Sequence, residues 1–245
     1  MSRDDQSMAL NLRTNVSNAY QDGSYQRQNP DWHVEVSPWK VQQCLQMLRR
    51  HRLVPNKIGE IGCGAGEVLR LFQANMPPES ELWGYDIAKR AIELGHDRAN
   101  DKLHFVCGGV SELSDRFFDL LLVLDVVEHV EDFYGFLRDI RPKGIHKLFH
   151  LPLDLSVQTL LRKGALTKRR EHHFHLHYFT KETALRALRD TGYEIEDWFY
   201  TPRQVDFPTG VHQKLVCGVR KTFFAVNQDL AVRLLGGYYL LVLAR

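Results

Sequence analysis

Three glycines at alternating positions, Gly62, Gly64 and Gly66, follow a short apolar strand early in the chain. Glycine adopts positive φ at little cost and lets the backbone approach a ligand closely, so this spacing predicts a tight turn against a bound molecule. The turn leads into a helix predicted over Glu67–Gln73, where apolar residues recur at helical spacing. The free N–H groups at the start of this helix favour an anionic group. We therefore expect a carboxylate or a phosphate to bind above Gly64.

Acidic residues lie on both sides of this turn. Glu60 precedes the first glycine, and Asp86 ends the second predicted strand, 24 residues after Gly62. An acid at the end of the second strand of a βαβ unit can accept hydrogen bonds from both ribose hydroxyls of a bound nucleoside. Aspartate is also a favoured N-cap, and a helix is expected from Ile87 to about Ala99. The spacing predicts that Asp86 binds a nucleoside, with the N-cap as an alternative role.

A second group of reactive side chains follows the most apolar segment of the chain. The run Phe117–Leu124 is apolar on both faces, as is typical of a central parallel strand, and it is followed by Asp125, Glu128 and His129. Open α/β sheets bind ligands at the carboxyl ends of their strands. These three side chains are therefore expected at the same edge of the sheet as the glycine turn.

Together these segments resemble a known family. The pattern E-x-G-x-G-x-G from Glu60 is similar to the first motif of the class I methyltransferases, which use S-adenosylmethionine. The stretch from Phe118 to Val130 resembles the fourth-strand motif of small-molecule methyltransferases, including the ubiquinone-pathway O-methyltransferases. With Asp86, the motifs cover Ile58–Ile140 in the order and spacing of that family. A dinucleotide site, the alternative, favours a third glycine where this chain has Glu67.

The resemblance implies S-adenosylmethionine as the cofactor. It assigns to cofactor binding a set of residues near the strand ends: Glu60, Gly62, Cys63, Gly64, Gly66, Asp86, Ile87, Gly109, Val110 and Asp125. Members of the family often carry an aspartate after the third strand that holds the adenine amino group. This chain has Gly108 and Gly109 there, so backbone groups near Val110 are expected to line the adenine pocket.

The implied reaction is in-line methyl transfer to an oxygen or nitrogen nucleophile of a small molecule. Because the leaving group becomes neutral, the enzyme mainly has to align and desolvate the nucleophile. A general base is needed only for a hydroxyl or an ammonium acceptor. His129 is the candidate base and Glu128 lies beside it in the sequence; the alternative is that both residues only fix the loop.

Two other functions stay open. The small-RNA 3′-end 2′-O-methyltransferases, which bind a divalent metal, pair an E-x-x-E-H stretch with a later histidine-rich segment. This chain has Asp125 in place of the first acid, a histidine-rich segment over His172–His177, and no RNA-binding module. We therefore assign no metal ligand from the sequence. A methyltransferase-like domain that binds cofactor or a partner without catalysis is the other alternative.

The remaining pattern predicts an α/β fold. We expect a seven-stranded, mostly parallel, doubly wound sheet with an antiparallel last strand, preceded by a helical N-terminal extension. Residues 1–52 would form this extension, a candidate lid, and residues 53–245 a Rossmann-like methyltransferase domain. Insertions are expected at about 152–180 and 201–237, the second with a helix around Phe223–Leu235.

Composition limits the partners and the location. With 32 basic and 30 acidic residues, the formal charge of +2 creates no strong field toward nucleic acid or an anionic membrane. Four dispersed cysteines argue against a disulfide framework, and the longest apolar run, Tyr238–Ala244, is too short to span a bilayer. We expect a soluble cytoplasmic protein with a small-molecule methyl acceptor; the sequence leaves its oligomeric state open.

Overall fold

The computed structural model describes residues 32, 34–113, 116–203 and 211–245. The predicted N-terminal extension before residue 32 and residues 204–210 of the second predicted insertion lie outside the described residues. The division into an extension and a methyltransferase domain stays a prediction.

Seven strands form one mixed sheet, and their order confirms the predicted fold. The strands are β1 (Lys57–Ile61), β2 (Glu81–Asp86), β3 (Leu103–Cys107), β4 (Phe118–Leu124), β5 (Gly144–Pro152), β6 (Ile195–Thr201) and β7 (Tyr239–Ala244). They are arranged in the order β3-β2-β1-β4-β5-β7-β6. Strand β7 pairs antiparallel with both β5 and β6, whereas the other pairs are parallel. The carboxyl ends of β1, β2 and β4 therefore lie side by side.

Helices connect the strands and cover both faces of the sheet. Along the described chain they are α1 (Ser37–His51), α2 (Glu67–Gln73), α3 (Lys89–Gly95), α4 (Phe133–Ile140), α5 (Val157–Leu161), α6 (Ala165–His173), α7 (Lys181–Asp190), α8 (Val211–Val226) and α9 (Gln228–Leu235). Side-chain caps fix several starts: Asp132 accepts a hydrogen bond from Gly135 N–H, and Thr180 forms a reciprocal capping box with Thr183. No helix in the described ranges is both long and apolar enough to cross a bilayer.

Two helix predictions were wrong in their bounds. The helix expected from Ile87 to about Ala99 begins later, at Lys89, because the Asp86 carboxylate holds the Ala88 N–H and Ala88 itself is extended; its last turn, His96–Arg98, is a 3-10 helix. The helix expected around Phe223–Leu235 is two helices, since Asn227 adopts an extended backbone and caps α9. In both places a local side-chain hydrogen bond competes with helix propagation.

Strand β4 separates two hydrophobic cores. Leu121 and Val123 face one core with residues of α4, α7 and α9, and Leu120 and Leu122 face the other with residues of α1 and α2. All four side chains are at most 1% exposed. Close packing on both faces holds β4 in place, so the residues that follow it have a rigid base.

Candidate active site

The glycine turn between β1 and α2 has the backbone that the sequence predicts. Gly62, Gly64 and Gly66 have φ values of 73°, 53° and 79°. A Cβ at Gly62 would lie 2.5 Å from Val126 Cγ2, and one at Gly66 would overlap the Phe105 ring. A Cβ at Gly64 would meet nothing closer than Trp32, at 3.8 Å. The turn is thus packed on its inner side and open above Gly64.

Asp86, at the end of β2, connects the glycine turn to the segment that follows β2. Its Oδ2 accepts a hydrogen bond from Gly64 N–H at 2.9 Å, and its Oδ1 accepts one from Ala88 N–H at 2.8 Å. Burial raises the pKa of Asp86 above its usual value, although both N–H groups oppose this. A carboxylate has about four acceptor sites, so each oxygen can accept a further bond from a ribose hydroxyl. The loop-fixing and ribose-binding roles are compatible in one residue.

Glu60, at the end of β1, is a buried acid. It is 2% exposed, and its Oε2 accepts no hydrogen bond within the part of the chain that the structure describes. Burial raises the pKa of Glu60 to about 8, with Lys40 opposing the shift and Asp86 adding to it. A buried carboxyl oxygen without a partner needs an explanation. The ammonium of S-adenosylmethionine would satisfy it, so the residues present fit this cofactor.

Cys63, inside the glycine turn, contributes packing. Its thiol is buried, and its sulfur would lie 2.8 Å from a Cβ at Gly84 of β2. Burial raises the pKa of this thiol well above its usual value. Cys63 is therefore an inert part of the turn, and its backbone stabilises the turn through hydrogen bonds to the Tyr85 carbonyl and from the Gly66 N–H.

The predicted adenine end of the site combines an apolar side chain with a segment of backbone. Ile87 is 46% exposed, and its Cγ2 would be 3.6 Å from a Cβ at Gly109. The Gly109 N–H donates to Glu112 Oε2 at 2.7 Å, and Val110 begins the short turn that carries this acid. The structure brings Ile87, Gly109 and Val110 together beyond β2 and β3, and their role in binding the adenine stays a prediction.

Asp125 is held by protein side chains that the sequence did not single out. It has a left-handed φ of 58°. Its carboxylate lies 2.7 Å from Lys40 Nζ on α1 and 2.5 Å from His150 Nδ1 on β5. Burial opposes ionisation, but Lys40 and His150 outweigh it and hold the pKa of Asp125 well below its usual value. The predicted cofactor contact of Asp125 stays a prediction, and any such contact has to share this carboxylate.

Glu128 and His129 lie in a 3-10 turn after β4. Glu128 is 1% exposed, and no described residue hydrogen-bonds to either of its carboxylate oxygens. Burial, with Asp125 nearby, raises its pKa well above the usual value. His129 Nδ1 donates to the Phe174 carbonyl at 3.1 Å, and its Nε2 lies 3.8 Å from Glu128 Oε1. Burial and the neighbouring His175 lower the pKa of His129 to about 3, so its ring is neutral at pH 7.

One histidine of the 172–177 segment joins this pair. The His175 ring lies 5.1 Å from the His129 ring, and its Nδ1 is 2.6 Å from Asp154 Oδ2. Arg169 binds the other oxygen of Asp154, also at 2.6 Å. Glu128, His129 and His175 each offer one ligand atom, and these atoms lie within 4.8 Å of one another. Such a group could hold a metal ion.

His173 and His177 belong to different local structures. His173 ends α6, whereas His177 Nε2 donates to the Val130 carbonyl at 2.9 Å. Sequence reasoning missed Lys40, His150 and Asp154. The available signal for His150 and Asp154 was their position at the carboxyl end of β5, the edge that also carries Asp125.

Comparison with known proteins identifies the class of this site. A family model described as a methyltransferase domain matches residues 40–197. The chain therefore belongs to the family of methyltransferase domains, and the identification as a class I S-adenosylmethionine-dependent enzyme is confirmed. No curated protein matches the chain by sequence.

Solved structures share the fold at low sequence identity. Magnesium protoporphyrin IX methyltransferase from Synechocystis PCC 6803, with bound S-adenosylhomocysteine, is 12% identical with a TM-score of 0.60; the match covers 95% of this chain and 99% of that one. The plantazolicin methyltransferase in complex with S-adenosylhomocysteine is 15% identical with a TM-score of 0.57, covering 99% and 98% of the two chains. A methyltransferase from Thiobacillus denitrificans is 14% identical with a TM-score of 0.56, covering 85% and 91%.

Proposed function

We propose that this protein transfers the methyl group of S-adenosylmethionine to an oxygen or nitrogen nucleophile of a small molecule. The observation that carries the proposal is the position of Asp86, which binds the Gly64 N–H and the Ala88 N–H with its two oxygens. This arrangement presents one carboxylate beside the open glycine turn. A nucleoside with a charged amino-acid tail fits both features.

Each cofactor contact follows from the local chemistry. Asp86 would accept hydrogen bonds from the ribose hydroxyls, and Glu60 would bind the ammonium of the amino-acid tail. The backbone from Gly62 to Gly66 would contact the carboxylate end. Ile87 and the backbone of Gly109 and Val110 would enclose the adenine ring, with no aspartate needed for its amino group.

Catalysis would depend on the group after β4. The bound cofactor supplies an electrophilic methyl group on a cationic sulfur, and transfer leaves that sulfur neutral. His129 Nδ1 donates to the Phe174 carbonyl, which makes Nε2 the acceptor nitrogen of its ring. His129 Nε2 and the Glu128 carboxyl group would face the methyl acceptor and position its nucleophilic atom. The buried surroundings of both residues exclude water from the reacting atoms.

Calorimetric titration of the wild-type protein tests the proposed function. We expect S-adenosylmethionine and S-adenosylhomocysteine each to bind with one site per chain, and NAD not to bind. Turnover is then screened with hydroxyl and amine acceptors, with S-adenosylhomocysteine release as the readout. Binding of NAD alone would refute the assignment, and cofactor binding without turnover on any acceptor would favour the non-catalytic domain.

A further inference from the structure

Three side chains from separate parts of the chain converge in one buried place. Glu128 and His129 follow β4, and His175 follows α6. Their ligand atoms all lie within 4.8 Å of one another, and Glu128 and His175 are both less than a tenth exposed. Ligands around a metal at about 2.1 Å lie roughly 3–4 Å apart, so small side-chain movements suffice to close the group on an ion.

Each imidazole has its Nδ1 held by a protein oxygen, which leaves Nε2 as the nitrogen that would bind a metal. The Phe174 carbonyl can only accept, so the proton of the neutral His129 ring lies on Nδ1 and its Nε2 is an acceptor. Asp154 orients His175 in the same way through Nδ1, at 2.6 Å. Arg169 in turn neutralises Asp154. Metal-binding histidines commonly donate their second ring N–H to a carbonyl or a carboxylate, and both partners are in place here.

Glu128 is the strongest sign that a cation is required. Its two oxygens are buried and receive no hydrogen bond from the described chain, and no ion pair links it to His175. The separation of 3.8 Å from His129 Nε2 is too long for a hydrogen bond. A buried carboxyl group without a hydrogen-bond partner therefore lies beside two imidazole rings, an arrangement that a positive ion stabilises.

We propose that Glu128, His129 and His175 bind a divalent first-row transition metal such as Zn²⁺ or Mn²⁺, with Asp154 and the Phe174 carbonyl positioning the two imidazoles. Two imidazoles and one carboxylate are ligands that these metals accept. Asp125 is not a ligand in this site, because Lys40 and His150 occupy its carboxylate. The site is thus a three-ligand site with open coordination positions.

The open positions suggest a substrate class, and this step rests on the proposed function. A metal ion bound here would lower the pKa of a coordinated hydroxyl group, so the acceptor would lose its proton to solvent as it binds and would react as an alkoxide or a phenoxide. The acceptor would then be an alcohol or a phenol with a metal-binding oxygen. An amine acceptor would gain less, since a metal-bound nitrogen has no free lone pair for attack.

Cobalt titration tests the metal site without relying on activity. The full-length protein is stripped with EDTA, dialysed, and titrated with Co²⁺ while the visible d–d absorption is recorded. We expect saturation at one Co²⁺ per chain, with competition by Zn²⁺. A flat titration would overturn the proposal.

Matched variants locate the ion. His175→Ala and Glu128→Gln should abolish the absorption band, and Asp154→Asn should weaken affinity by about 10- to 100-fold, as loss of an orienting partner does. His172→Ala, which changes an exposed histidine near the end of α6, should bind as the wild type does. Unchanged binding in His175→Ala would place the metal elsewhere and contradict the proposal. Circular dichroism checks folding, and if a ligand variant is unfolded, Asp154→Asn and the wild-type titration still decide.

Parallel titration with S-adenosylmethionine separates this inference from the proposed function. Cofactor binding without metal binding would overturn the metal site and leave the methyltransferase proposal standing. Metal binding without cofactor binding would do the reverse.

Discussion

The two halves of the candidate site are built in different ways. The cofactor side is a local structure made mostly of backbone: its central hydrogen bond, from Gly64 N–H to Asp86, joins residues 22 apart. The acceptor side is assembled from side chains on distant elements, and the contact from His129 to Phe174 spans 45 residues. A motif can describe the first half, whereas only the folded sheet brings the second half together.

This difference has a physical consequence for substitution. On the cofactor side the constraint is steric, because positive φ and close packing at Gly62 and Gly66 leave no room for a side chain. On the acceptor side it is electrostatic, because buried acids and histidines depend on one another for charge and hydrogen bonds. The following variants test the contrast, from the largest expected effect to the smallest.

Gly66→Ala should damage the cofactor side most. Its φ of 79° disfavours any Cβ, and the added methyl group would overlap the Phe105 ring. We expect the free energy of unfolding to fall by about 3 kcal/mol, from backbone strain and overpacking together, and cofactor binding to be lost. Urea denaturation and calorimetry measure the two effects.

Gly164→Ala is the matched control for this steric claim. Gly164 also has positive φ, at 73°, but no described atom lies within 4 Å of its added Cβ. This variant should lose only about 1 kcal/mol and keep cofactor affinity. Equal losses in both variants would show that packing against Phe105 is unimportant.

Asp86→Asn should weaken cofactor binding and also lower stability, because its amide NH2 would face the N–H of Gly64 or Ala88. The amide replaces one acceptor oxygen with a donor, and a lost hydrogen bond to a charged group corresponds to about 10- to 100-fold in affinity for S-adenosylmethionine. Asp139→Asn, at an exposed position on α4, should leave the affinity unchanged. Near-normal affinity in Asp86→Asn would mean that the ribose is bound elsewhere.

Lys40→Met should destabilise the acceptor side. It leaves the buried Asp125 carboxylate with one partner instead of two, so we expect a loss of about 2 kcal/mol at pH 7. Lys102→Met removes an exposed ion pair and should change stability by less than about 0.5 kcal/mol. A double variant, Lys40→Met with Asp125→Asn, should recover part of the loss.

The Lys40–Asp125 ion pair also predicts how the stability of the protein depends on pH. Because the folded pKa of Asp125 lies below its unfolded value, the unfolded chain binds the extra proton first as the pH falls. This contribution to stability is complete above the unfolded pKa of about 4 and declines as the pH drops toward the folded value. Acid denaturation should therefore be shallower in Lys40→Met, and identical pH profiles would contradict the role given to this ion pair.

Lys147→Met should have the smallest effect, and with the opposite sign. Lys147 is a buried residue on β5, and burial lowers its pKa to about 8. The variant loses the hydrogen bond from the Lys147 ammonium to the Gly144 carbonyl, at 2.5 Å, but it no longer buries a charge. We therefore expect the free energy of unfolding to rise by about 1 kcal/mol at pH 7. Because the pKa of Lys147 is lower in the folded than in the unfolded protein, the unfolded chain binds more protons between about pH 8 and pH 10. Wild-type stability should therefore rise with pH over this range, and the difference from the variant should shrink. A variant less stable at pH 7 would show that Lys147 contributes favourably.

The sequence could predict the half of the site that depends on local rules. The spacing of Gly62, Gly64 and Gly66 specifies a turn, and the apolar run before Asp125 specifies a central strand, because both signals lie within a few residues. The partners of Asp125 could not be found this way. Lys40 lies on α1, the helix before β1, far from Asp125 in the sequence. His150 reaches Asp125 only because β4 and β5 are neighbours in the sheet.

Two helix boundaries, at Lys89 and at Asn227, also depend on single contacts that the sequence pattern does not show. In each case one side-chain hydrogen bond to a backbone N–H decides where a helix begins, and helical periodicity does not reveal it. The position of His175 beside His129 could not be predicted either, because it depends on a contact with Asp154, 21 residues earlier in the chain.

A crystal structure of the full chain with S-adenosylhomocysteine is the most direct measurement of the central claim. We expect the ribose hydroxyls within hydrogen-bond distance of Asp86, the ammonium beside Glu60, and the adenine against Ile87 and the backbone of Gly109. A ligand bound elsewhere, or a ribose that does not touch Asp86, would contradict it.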